Sequence, residues 1–274
     1  MNMRNMSDKL TVTKLQENLY RIQEDSMFMN VDAYLICGQK QAMVIDGLGI
    51  TPGLYECVKN ITDLPFFMVV THGHPDHAGV GMKEFIEAGC QVYLSPDDEE
   101  LVKEYARDVD LSVVKEAKEC FDLGGARIKS LPMPGHTQGS VMLFWEEEKL
   151  LFSSDAIGSG SLWMQLPESS SLEEYLAQLK ELELFLEQVP DVKIYPGHSW
   201  QVATFIRENA DFIDIAYVKE LIQLTENIVD GKLVGEKKEI LLDFLKDIDI
   251  RCVTGNYVTD YCYDVRKIHS KKEV

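Results

Sequence analysis

The sequence predicts an α/β (α+β) protein in which two sheets pack face to face with helices outside, and three observations carry that expectation. Residues 9 to 46 fall into short apolar or alternating pieces separated by turn formers, the pattern of antiparallel strands. Helical spacing enters only after residue 50. A second strand series then begins near residue 119 and is again followed by helices, so the chain reads as two strand-rich halves.

Taken in order, LTVTKL, NLYRI, DAYLICG and QAMVID supply the first strands. Thr51-Pro52 opens a short helix expected to run through Asn60. The β-rich FFMVV then delivers the chain into THGHPDHAGVGMKEFIEAG, whose second half has helical spacing, giving a strand, loop, helix unit. After the strand QVYLS a polar helical segment is expected from Asp97 to Lys118. ECFDL, a Gly124-Gly125 turn, ARIKSLPM, SVMLFWE and KLLFSSD form the second series, with EEEK as a hairpin connection. Ser171 to Gln188 is the clearest amphipathic helix: Ser171 is the N-cap, Glu174 follows three residues on, and Pro190 lies just past the end. VKIYPGH is a further strand ending in a loop, residues 201 to 246 read as mostly helical with a break near Asp230-Gly231, and a closing hairpin is expected at 249 to 264 with its turn near Gly255-Asn256.

A chain of 274 residues buries roughly three quarters of its unfolded surface, and 45% apolar with 27% charged residues is an ordinary globular balance. One domain, spanning 1 to 274 with a helical appendage, is expected. The 46 acidic residues outnumber 27 basic ones, a net charge of −19, which argues against nucleic acid and anionic membrane partners because phosphate binding is driven by cationic side chains. The start, MNMRNMSDKL, lacks the apolar core of a secretory peptide, and LPFFMVV is too short to span a bilayer, so a cytoplasmic location and a small-molecule substrate are the expectation. Six cysteines are scattered singly with no C-x-x-C spacing and are expected to be free thiols.

Five of six histidines lie on loops that follow or separate predicted strands, in THGHPDH, PGHTQGS and YPGHSW. In THGHPDH an extended backbone lets His72 and His74 point one way toward one metal, while Asp76 and His77, at an expected helix start, address another. His136 follows a Pro134-Gly135 turn, Asp155 ends an apolar strand, and His198 again follows Pro-Gly. These five imidazoles and two carboxylates suffice for two sites if Asp155 bridges them. The nitrogen and oxygen donors suit zinc, with manganese or iron also matching the ligand type.

This ordered set resembles the metallo-β-lactamase superfamily, in the dinuclear hydrolase branch typified by glyoxalase II, and the matching segments run from residue 10 to 200. The resemblance implies a four-layer αββα sandwich and two divalent metal ions, most simply zinc. It also implies that His72, His74 and His136 bind the first ion, and that Asp76, His77 and His198 bind the second with Asp155 bridging. Asp46-Gly47 matches the strand-end Asp-Gly that supports the metal loop in that family. Asp76 and Asp155 are the expected catalytic pair, orienting a hydroxide and taking up protons. Trp163, in the apolar insert SGSLWMQLPESSS, and Tyr195, beside His198, are the candidate substrate-lining residues.

An ester, thioester or lactone of a small molecule is the substrate class implied first, a small phosphodiester second. A one-iron persulfide dioxygenase of the same superfamily is the oxidoreductase alternative. Exported class B β-lactamases differ in ligand set, flavodiiron proteins place Glu where His74 stands, and RNase Z-type nucleases need a basic surface that a −19 chain does not offer.

Overall fold

The computed structural model describes residues 9–25, 30–106, 109–208, 210–239 and 242–271. The stretch read for a targeting signal therefore lies, except for Lys9 and Leu10, outside the described residues, as do 107–108, 209 and 240–241 within the expected helical segments. The chain divides into two units, one running to Ser130 and including Trp145–Glu147, the other made of Leu131–Phe144 and the residues from Glu148 on.

The first unit holds a seven-stranded sheet of β1 (Lys9–Gln16), β2 (Leu19–Asp25), β3 (Asn30–Cys37), β4 (Ala42–Ile45), β5 (Phe66–Val69), β6 (Val92–Leu94) and β7 (Lys115–Glu116), in that order across the sheet. The first four pair antiparallel, and β4 through β7 pair parallel. Parallel neighbours need crossover connections. These carry the helices α1 (Leu54–Ile61), α2 (Val80–Glu87) and α3 (Glu99–Tyr105). Leu35, Val44 and Met68 of the sheet and Leu54, Val58, Met82 and Phe85 of the helices share one apolar core, each such burial contributing roughly 1.5–3 kcal/mol. A hairpin of β8 (Cys120–Asp122) and β9 (Arg127–Pro132) turns at Gly124 and Gly125, whose φ of 80° and 85° only glycine adopts readily.

Two expectations for this unit change. The first helix starts not at Thr51-Pro52 but after Gly53, because the Glu84 carboxylate accepts the Gly53 and Tyr55 N–H groups and so supplies the cap from another helix. The segment read as one helix from Asp97 to Lys118 is interrupted: Asp110 accepts from the Ser112 N–H, giving the backbone a turn in place of a helix, and β7 follows.

In the second unit β10 (Val141–Trp145, its last residue counted with the first unit), β11 (Leu150–Ser154) and β13 (Lys193–Pro196) are consecutive in one sheet, β11 and β13 running parallel. The Gly/Ser-rich insert is itself a strand, β12 (Ser161–Met164), and belongs to a further sheet ordered β12-β16-β15-β14, with β14 (Glu236–Lys237), β15 (Ile250–Val253) and β16 (Asp260–Asp264). Helix α4 (Leu172–Glu187) opens on the expected capping box of Ser171 and Glu174. Residues 201–246, expected to be mostly helical, contain the end of α5 (Ser199–Gln201), a π-helical turn at Val202–Ile206, α6 (Ile215–Val229), β14 and a 3-10 turn at Asp243–Leu245. Tyr175 and Leu179 of α4, Tyr217 and Leu221 of α6, and Tyr261 and Tyr263 of β16 meet in the core of this unit.

The cysteine expectation is corrected here. Cys252 and Cys262 are joined by a disulfide, and Cys37, Cys57, Cys90 and Cys120 are the free thiols. Spacing along the chain hid the pair, but Cys252 and Cys262 are register partners on antiparallel β15 and β16, with Cα atoms 4.1 Å apart.

The β15–β16 loop is held by one carboxylate: Glu220 of α6 accepts the N–H groups of Asn256 (2.7 Å), Tyr257 (2.6 Å) and Val258 (2.9 Å). Burial pushes the Glu220 carboxyl up, but the Val258, Asn256 and Tyr257 N–H groups outweigh it and hold the group below the ordinary glutamate value. A carboxyl depressed on folding contributes stability above its unfolded pKa and loses it as pH falls through the folded one. Glu220→Gln should therefore cost about 1 kcal/mol at neutral pH, with the difference from the parent vanishing under acid conditions. Urea unfolding of both proteins across pH checks it; a difference that persists at acid pH would contradict the clasp.

Candidate metal centre

In the first unit the centre is built on Asp46, which is 2% exposed and stands at the end of β4 in the left-handed region, with φ 65°. A carboxylate can only accept. It takes the Thr71 N–H (2.7 Å) and, on Oδ2, the Nδ1–H of His77 (2.9 Å). The Thr71 hydroxyl lies 2.9 and 3.0 Å from the two Asp46 oxygens and 3.2 Å from His72 Nδ1. Having one proton and giving it to the carboxylate, that hydroxyl accepts from His72 Nδ1–H. One carboxylate thus sets two tautomers, so that His72 and His77 both carry the lone pair on Nε2, and both Nε2 atoms are buried.

The His72 ring lies 4.9 Å from His74 at right angles and 4.4 Å from His77. Between His72 and His74, Gly73 donates its N–H to Asp98 Oδ2 (2.7 Å) and accepts the Tyr105 hydroxyl on its carbonyl (2.6 Å). A Cβ at Gly73 would stand 2.9 Å from Asp98 Cβ, so the loop passes only as glycine. Burial, with Asp76 and Asp98 nearby, pushes the Tyr105 phenol far above its usual value and keeps it a donor. Asp76 and His77 are not at the start of α2 but in a turn ahead of it, closed by His77 N–H and Ala78 N–H on the His74 carbonyl; Asp76 Oδ2 is 3.6 Å from His77 Nε2.

In the second unit Asp155 follows β11 through Ser154, which has φ 46°, and its Oδ2 lies 3.2 Å from His198 Nε2 and 3.9 Å from His136 Nε2. His136 Nδ1 is 2.8 Å from the Trp163 carbonyl, which can only accept, so His136 too carries its lone pair on Nε2. Two buried tyrosines that sequence reasoning missed hold the loop after Asp155. Tyr175 donates to the Ala156 carbonyl (2.8 Å) and Tyr217 to that of Ile157 (2.8 Å). The Tyr175 ring also lies where a Cβ at Gly135 would sit, 2.3 Å away, which fixes the turn before His136. Nothing in the sequence distinguished these tyrosines from ordinary core residues on amphipathic helices.

The two candidate substrate-lining residues separate. Trp163 exposes 37% of its surface while its carbonyl orients His136. Tyr195 is buried, stacked on Phe152 at 5.8 Å, in the core of its unit.

The sequence profile of the metallo-β-lactamase superfamily matches residues 27–198. Acyl-coenzyme A thioesterase MBLAC2 of Gallus gallus is 28% identical over 198 residues, 60% of this chain and 71% of that protein. Metallo-beta-lactamase fold-containing protein ST1585 of Sulfurisphaera tokodaii is 25% identical over 78% of this chain and 90% of its own. The hydroxyacylglutathione hydrolase of Anaeromyxobacter dehalogenans is 31% identical over 50% of this chain and 49% of its own. Among solved structures, a metallo-beta-lactamase from Pontibacter korlensis superposes with a TM-score of 0.60 at 20% identity, covering 80% of this chain and all of that one. The mixed α/β class and the metallo-β-lactamase fold expected from the sequence are those found.

Two substitutions test the geometry. Asp46→Asn places an N–H donor in reach of His77 Nδ1; whichever way the amide turns, one of its former donors loses an acceptor. Metal affinity should fall about 10–100-fold while the protein stays folded, measured by chelator competition alongside circular dichroism. Tyr175→Phe keeps the packing and removes one buried hydrogen bond to the Asp155 loop. A loss of about 1–2 kcal/mol in unfolding free energy is expected, and a neutral effect would mean the hydroxyl holds nothing.

Proposed function

The chain belongs to the metallo-β-lactamase superfamily, and from that premise we propose that it is a dinuclear metallohydrolase that cleaves a small-molecule ester, thioester or lactone. The observation that carries this reading is the uniform presentation of three buried imidazoles: His72, His77 and His136 are each held through Nδ1 by an acceptor, which leaves every Nε2 as a donor atom for a metal. That is the chemistry a nitrogen and oxygen metal centre needs of its residues. His72, His74 and His136 would hold one ion, and Asp76, His77 and His198 the other, with Asp155 shared. Divalent ions, zinc foremost, would supply a hydroxide near neutral pH and a Lewis acid for the developing oxyanion.

The chain's own residues do the rest. Asp76 and Asp155 would orient the attacking oxygen and take up its proton. Tyr175, Tyr217 and the Trp163 carbonyl keep the Asp155 and His136 loops from shifting as charge develops. Support for the bond type comes from the thioesterase and hydroxyacylglutathione hydrolase among the relatives. Two of the basic residues of the C-terminal region are paired locally, Lys219 near Glu183 and Lys232 on Asp230. Among the described residues no helix is long and apolar enough to cross a membrane.

Elemental analysis of metal-replete protein should find about two ions per chain, since seven ligands exceed one four-coordinate site. In a panel of esters, thioesters, lactones and phosphodiesters, turnover should appear with the acyl substrates. Asp155→Ala should lower it about a hundredfold or more, and His198→Ala should release one ion selectively. Iron as the sole metal, oxygen uptake with a thiol persulfide and indifference to His198→Ala would together replace the hydrolase with a dioxygenase.

A further inference from the structure

We infer that the Cys252–Cys262 disulfide is a reversible thiol–disulfide site whose oxidised form tightens the hold on His136. The inference rests, for its second half, on His136 being a metal ligand as proposed above.

The pair is asymmetric in the way exchange requires. Cys252 is half-buried at the edge of a small apolar cluster and is the more accessible of the two residues, whereas Cys262 is 1% exposed within that cluster, with Leu166, Leu245 and Ile250. The structure also provides for the reduced state. Cys262 Sγ lies 3.4 Å from Asp260 Oδ1, so a Cys262 thiol has an acceptor in place, and Lys238 Nζ at 2.6 and 2.7 Å from the two Asp260 oxygens holds that carboxyl group in position. In the exchange, the thiolate of a dithiol reductant attacks Cys252 Sγ, the Cys252–Cys262 bond breaks, and Cys262 leaves as a thiolate that takes up a proton. The second thiol of the reductant then closes on the first, releasing Cys252. The protein disulfide gains two electrons and two protons, and the dithiol becomes a disulfide.

Two short routes connect this bond to His136. Cys262 is the register partner of Trp163 on β12, and the Trp163 carbonyl accepts His136 Nδ1–H. Leu166 packs in the same cluster as Cys262 and leads into the loop whose Ser169 hydroxyl donates to the His136 carbonyl (2.9 Å). Lys267 ties that loop down by donating to the carbonyls of Leu166, Pro167 and Ser169. The disulfide closes β15 on β16, and β16 is the strand on which β12 rests.

The test begins with air-purified protein, denatured and alkylated: four cysteines should react, rising to six when the folded protein is first treated with dithiothreitol. Zinc affinity, read by chelator competition after anaerobic removal of the dithiol, should then be about tenfold weaker in the reduced protein. The double variant Cys252→Ser/Cys262→Ser should match the reduced protein and ignore dithiothreitol; where it fails to fold, the parent compared in its two states still decides. Six reactive thiols before reduction, a bond that dithiothreitol leaves closed in the folded protein, or equal zinc affinity in both states would each overturn the inference. His136→Ala with unchanged zinc affinity would sink the metal reading, and the linkage to it, while leaving the alkylation count intact.

Discussion

The loops of the first unit that carry His72, His74 and His77 depend on what a single buried carboxylate is able to accept. Asp46 is surrounded by donors from Thr71 and His77, and an ionised carboxyl so buried is tolerable only when hydrogen-bonded in this way. Because it cannot donate, the direction of every bond around it is forced, and the forcing propagates through the Thr71 hydroxyl to His72. The backbone yields to this arrangement. Asp46 and Leu48 both take positive φ, a strain of about 1–3 kcal/mol each that persists only where surroundings over-determine it. Those surroundings are tight: a Cβ at Gly47 would come within 2.7 Å of the Met82 nitrogen, and one at Gly79 within 2.2 Å of the Gly49 carbonyl. Glu24 then fixes the next residues, accepting the N–H groups of Gly49 and Thr51 and the Thr51 hydroxyl.

The second unit solves the same problem with a neutral acceptor. A peptide carbonyl, that of Trp163, does for His136 what Asp46 does for His77. Ser154, like Asp46, is a non-glycine residue at positive φ, here directly before the candidate ligand Asp155, and tyrosine hydroxyls from two different helices fasten the loop that follows. Each half therefore spends backbone strain next to the chemistry and recovers rigidity from groups one layer out.

That division explains what was legible in the sequence. The ligand types are rare, clustered and loop-borne, so THGHPDH, His136, Asp155 and His198 stood out before any fold was known. Asp46 was found through its strand-end Asp-Gly. Tyr175 and Tyr217 were not, because a tyrosine on the buried stripe of an amphipathic helix looks like any core residue until its hydroxyl is seen to reach a particular carbonyl. Strand β12 was missed because Gly158, Ser159 and Gly160 mask the alternation of the four residues that follow. Its role at His136 runs through a main-chain oxygen, which every residue possesses. Cys252 and Cys262 escaped notice for a related reason: pairing across a hairpin depends on register, and register is a property of the turn as much as of the two strands.

The acidic excess takes on a second meaning in this light. Read from composition, −19 argues against a polyanionic partner. In the fold, several of those acids accept from peptide N–H groups: Glu24 on residues 49–51, Glu84 on Gly53 and Tyr55, Asp98 on Gly73, Asp110 on Ser112, Glu220 on residues 256–258. A carboxylate is the best acceptor available to a loop whose amides point inward, stronger than a neutral oxygen by roughly a factor of two. Loops that must hold irregular shapes around ligand residues are where such amides accumulate, because they have no ladder to satisfy them. The same negative residues are thus part of what shapes the loops from which His72, His74 and their neighbours project.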